Sequence, residues 1–126
     1  AEEFLNRAER TYALMGSLPA KIYADILDRR GWMYFKRRDQ AKNLDSARDL
    51  ITQAVALEAD AEYYLHLAYI DYTQSLETAD STRKESLNRS ALAHCEHALH
   101  MTPRRGLEEH VKDLQGRIGK SPSPTT

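Results

Sequence analysis

His94, Cys95, His97 and His100 crowd one short stretch of this chain, and imidazole and thiolate are both zinc ligands. Successive steps of three residues drift around a helix, so the three imidazoles do not readily converge on one ion. No HExxH and no paired CxxC accompany them. The stretch therefore reads as solvated histidines beside a buried cysteine, and neither a metal nor any other cofactor is expected. Cys95 shares an apolar stripe with Ala91, Ala98 and Leu99, where a cysteine serves as a small hydrophobe rather than a nucleophile. The sequence also lacks a glycine-rich phosphate loop and a nucleophile elbow, so no enzyme is expected.

Lys36, Arg37 and Arg38, with Lys42 close by and Arg29 and Arg30 two turns earlier, form the densest basic cluster. Such a cluster can neutralise phosphates, and RNA binding through Arg37 and Arg38 would be strongly salt-dependent. Asp25, Asp28, Asp39 and Asp45 dilute the field, and the net charge of -1 adds no global attraction to nucleic acid or anionic membrane. Nucleic acid is thus not the expected partner, and the cluster reads as a solvated helix end.

The elements that carry these residues are helical throughout. Phe4, Leu5, Ala8, Tyr12 and Met15 mark a first helix over about 2–16, with Glu2, Glu3 and Arg7 on its wet side. Further helices follow over about 20–38, 44–58, 61–77 and 82–101, and Leu107, Val111, Leu114 and Ile118 stripe a last one. Asn43 and Asp60 are expected as N-caps, and Thr102 with Pro103 as the cap and first turn of the final helix. Breaks fall at Gly16–Pro19 and Pro103–Gly106, and the polar stretch 120–126 reads as a disordered tail. Residues 1–119 are expected to form one domain.

The helices repeat. Ala24 to Phe35 aligns with Ala61 to Tyr72 at an offset of 37 residues, placing Gly31 over Ala68, Trp32 over Tyr69 and Phe35 over Tyr72. Ala47, Ile51 and Ala54 align with Ala91, Cys95 and Ala98 at an offset of 44 residues. The longer second copy places its extra residues around Thr73 to Ser86, a polar stretch that suits a projecting, solvent-exposed hairpin tip. Periods in this range mark stacked arrays, and small residues at matching places let paired helices cross closely.

This two-helix unit resembles the tetratricopeptide repeat. Tyr64, Leu67, Ala68, Ala91, Cys95, Ala98 and Pro103 fit its pattern in the second copy. Leu27, Gly31, Tyr34, Ala47, Ile51 and Ala54 fit it in the first. Arg30, Asp71 and Ala59 depart from it, and the small residues of paired helices lie 16 and 23 residues apart, farther than in that family. The resemblance implies an all-α, right-handed stack of two antiparallel helical hairpins between capping helices. It also implies a concave groove lined by the first helix of each hairpin. Asp25, Asp28, Arg29, Trp32, Phe35 and Lys36 would face it from one unit, and Glu62, Leu65, His66, Tyr69, Tyr72 and Thr73 from the next.

Aromatic anchors among a few charges suit peptide capture, because they bury large area at low entropy cost. The alternative is that the same rings pack against a terminal helix as ordinary core. The expected function is a non-catalytic module that binds a peptide or partner protein, with a homodimeric scaffold domain as the competing reading. No apolar run is long enough to span a bilayer, so no membrane association is expected. With one cysteine and no secretory signal, a cytoplasmic location is expected.

Overall fold

The computed structural model describes residues 19–37, 41–101 and 103–119, and these described residues form five α-helices. They are α1 (Ala20–Lys36), α2 (Ala41–Leu57), α3 (Ala61–Glu77), α4 (Ser81–His100) and α5 (Arg105–Gly119). No strand occurs among the described residues, so the protein is all-α there. The expected first helix over 2–16, Arg38 and Asp39, Thr102 and the expected tail at 120–126 lie outside the described residues, as does the side chain of Lys42.

Local signals explain the helix ends. The Asp60 carboxylate accepts the Glu62 amide at 2.8 Å, meeting one of the orphan donors that open α3. Asp80 does the same for α4, accepting from Thr82 at 3.0 Å and Arg83 at 3.4 Å. Pro19 opens α1 without a side-chain cap, and at the other end the Arg37 amide donates to Met33 and Tyr34 carbonyls.

Two expectations about ends are corrected. Asn43 is not a cap: α2 already runs from Ala41, and the Asn43 side-chain amide instead donates to the Arg37 carbonyl. Pro103 does not sit in the first turn of α5, which starts two residues later at Arg105.

The chain divides into two compact units, Ala1–Ala59 and Asp60–Thr126. In the first, α1 and α2 pack as a hairpin. A Cβ built on Gly31 would lie 2.6 Å from Ile51 Cγ1, closer than real Cβ atoms come, and 3.0 Å from the Ala47 carbonyl oxygen, tighter than most real contacts. Glycine is what lets this crossing close, with Ala47, Ile51 and Ala54 fully buried along α2.

The second unit repeats the device. Ala68 of α3 and Ala91, Cys95 and Ala98 of α4 are all fully buried in one core cluster. Leu107, Val111, Leu114 and Ile118 of α5 join that cluster, as do Ala61 and Leu65 of α3. The polar side of α5 faces water, where Glu108 and Lys112 pair at 2.8 Å. The reading of Cys95 as a small hydrophobe matches its burial, which pushes the thiol pKa up to about 11.

Most of the expected polar tip is exposed, from Leu76 and Glu77 through 79–83 to Ser86, and the correction falls on Ser75 alone. α3 and α4 extend to Glu77 and from Ser81, leaving only Thr78 to Asp80 between them. Ser75 is fully buried rather than exposed. Its hydroxyl turns back to donate to the Tyr72 carbonyl at 2.6 Å, so the helix itself satisfies it.

Candidate functional site

The first helix of each hairpin was expected to carry the binding residues, and their environments differ. On α1, Asp28 and Phe35 are buried, Asp25 and Trp32 are half-buried, and Arg29 and Lys36 are exposed. Asp25 pairs with Lys21 one turn earlier at 3.5 Å. Trp32 lies almost flat on Phe35, with ring centroids 4.6 Å apart and planes inclined by 12°. The stack fixes the only tryptophan of the chain while leaving part of it open.

On α3, Leu65 is buried in the core shared with α4 and α5, and His66 is buried. Tyr69 and Tyr72 pack onto that same core. Burial pushes the Tyr69 phenol pKa above its ordinary value; nearby Arg117 opposes the rise, while Asp113 adds to it. These two α5 residues pair with each other at 3.1 Å. Glu62 is half-buried, 3.8 Å from His66 and 3.9 Å from Arg104. Thr73 is half-buried. Tyr69 and Tyr72 are thus committed in good part to the core shared with α4 and α5, whereas Trp32 has its own ring partner on α1.

One group of polar residues escaped the sequence reading. Asp71 of α3 is buried, and its Oδ2 accepts the Ser90 hydroxyl of α4 at 2.6 Å. His94 Nε2 stands 3.3 Å from the same oxygen and 3.4 Å from Ser90 Oγ. His94 is therefore not a solvated histidine, although His97 and His100 are exposed. Tyr64 of α3 stacks on His97 at 5.1 Å and on His94 at 6.1 Å.

Serine, histidine and aspartate in contact suggest nucleophilic chemistry, but the connectivity is wrong for it. In a relay the imidazole stands between the acid and the hydroxyl, with one ring nitrogen on each. Here a single nitrogen faces both, and the serine proton is already given to the carboxylate. His94 Nδ1 is buried without a partner, which favours the tautomer carrying its proton on Nε2, toward Asp71. The arrangement can cross-link α3 and α4; it does not deliver an activated oxygen.

A signal for this cluster was present. Asp71 interrupts the α3 stripe where the repeat pattern asks for an aromatic, and Ser90 and His94 stand one turn apart on the partner helix.

The basic cluster is only partly placed. Lys36 and Arg37 are exposed at the end of α1, where cations complement the helix dipole. No described helix is long and apolar enough to cross a membrane. No family model matches the chain, and no curated protein and no solved structure matches it.

Proposed function

We propose that this chain is a non-catalytic interaction module that holds a peptide or partner segment along the first helices of its hairpins. On this reading the two hairpins are successive units of a tetratricopeptide-like array. The observation that carries it is the Trp32–Phe35 stack, which keeps a large aromatic surface ordered and part-open between exposed Arg29 and Lys36. A preordered ring costs little further entropy when a partner covers it, and aromatic anchors of this kind dominate binding energy where they occur. The shared small-residue crossings, Gly31 in one hairpin and Ala68 in the other, support the two-unit reading. The non-relay geometry at Ser90 supports a role without catalysis.

Selection from a random displayed-peptide library, using the whole chain as bait, tests this proposal. Selected peptides should bind the wild type and lose on the order of tenfold or more in affinity with Trp32→Ala. Peptides that bind wild type and variant equally would move the site elsewhere. Sedimentation of the free chain covers the competing assembly: a dimer broken by Trp32→Ala would make the aromatic face a homodimer contact instead.

A further inference from the structure

Asp25, Arg29, Trp32 and Lys36 follow one another on α1 at steps of four, three and four residues, so they share one stripe. Ile22 extends it toward the helix start and is 45% exposed, which adds apolar surface to the stripe. The charges along the stripe are unbalanced. Asp25 is engaged by Lys21 at 3.5 Å. Arg29 and Lys36 are both exposed, and neither pairs with an acid among the described residues. The helix dipole acts on Lys36 in the last turn and fades before Arg29. What remains is an apolar ring flanked by two cations.

We infer that the segment taken by this stripe is acidic, with an apolar side chain on Trp32 and a carboxylate toward each of Arg29 and Lys36. This inference rests on the peptide-binding reading above. It also fixes a spacing. Seven residues of helix separate the two cations by about 10 Å. An extended peptide covers that distance in about three residues at roughly 3.3 Å each. The two acids should therefore stand about three positions apart, bracketing the apolar anchor. Complementary charge of this kind sets specificity and association rate and weakens with added salt.

The test uses the chain's single tryptophan as its own probe. A glycine–serine peptide carrying two glutamates so spaced around a leucine is titrated while Trp32 emission is recorded. Counterparts with glutamine or lysine in place of glutamate, and an oligouridylate, are titrated in parallel. The acidic peptide should shift the emission and bind about tenfold tighter than the glutamine peptide, and salt should weaken it. Arg29→Glu with Lys36→Glu should abolish that binding and gain binding of the lysine peptide. Unchanged circular dichroism would show that the doubly substituted chain still folds.

Equal binding of glutamine or lysine peptides by the wild type, with the same emission shift, would overturn the acidic preference while leaving a peptide site at Trp32. Silence from every peptide, including those from the library selection, would overturn the peptide site as well. Tighter binding of oligouridylate than of the acidic peptide would assign the stripe to RNA and overturn the inference.

Discussion

The Cβ position of Gly31 lies 2.6 Å from Ile51 Cγ1, so the first hairpin closes on a residue that has no side chain to spare. Ile51 is itself fully buried, so it yields only by disturbing its packed neighbours. Alanine would gain up to about 1 kcal/mol of helix propensity over glycine. Overpacking of a tight crossing costs about 1–3 kcal/mol, so the crossing should win. Gly31→Ala is expected to lower the urea midpoint, and the same change in an Ile51→Ala background should cost less. Gly116→Ala is the control: nothing lies within 4 Å of that Cβ position, so the substitution should stabilise.

The second hairpin makes a parallel prediction at Ala68, which aligns with Gly31 and is fully buried among α4 residues. Ala68→Leu should cost about 1–3 kcal/mol in urea melts. Ser75→Leu should also destabilise, since Ser75 is fully buried and its hydroxyl is satisfied inside the helix. Ala93→Leu, on the exposed side of α4, should stay within about 0.5 kcal/mol of wild type.

Helical periodicity and small residues were legible because they recur. Asp60 announced α3 by chemistry that acts within two residues, and Ala68, Ala91 and Ala98 announced a crossing by matching Gly31, Ala47 and Ala54. What escaped depends on which side of a helix faces a neighbour. Ser75 looks like surface by type, yet a serine that bonds its own helix can be buried cheaply. Asn43 looks like a cap by type, yet α2 begins two residues before it. Asp71 and Ser90 are 19 residues apart on different helices, and only the α3–α4 pairing brings their oxygens to 2.6 Å. Of the residues expected to bind a partner, sequence placed Trp32 beside Phe35 in register, but not the commitment of Tyr69 and Tyr72 to the core with α5.

The Asp71 cluster makes a prediction about stability alone. Asp71→Ala strips an acceptor from both Ser90 and His94 and should cost roughly 1–3 kcal/mol. Asp71→Asn keeps one oxygen in place and should cost less. The Ala substitution should be less damaging when Ser90→Ala accompanies it, because the hydroxyl left unpaired is then gone. A double-mutant cycle in urea checks this, and strict additivity would show that the two oxygens do not act together.

Burial of Cys95 gives a pH dependence. Its pKa rises from 9.0 to about 11, so between those values the unfolded chain has released a proton that the folded chain retains. The folded state therefore loses stability as pH climbs through this window, and the contribution is fully present below pH 9. Urea midpoints measured from pH 8 upward should fall in wild type and fall less in Cys95→Ala. At pH 8 the folded thiol should also resist iodoacetamide and become reactive only in denaturant.

The central claim is that partner binding covers Trp32, and collisional quenching reads this directly because no other tryptophan contributes emission. Iodide and acrylamide should both quench the free chain, whose Trp32 is part-open on Phe35. With a saturating peptide from the library selection, both quenching constants should fall severalfold. If a peptide binds and both constants stay unchanged, the partner sits elsewhere and the assignment of this stripe is contradicted.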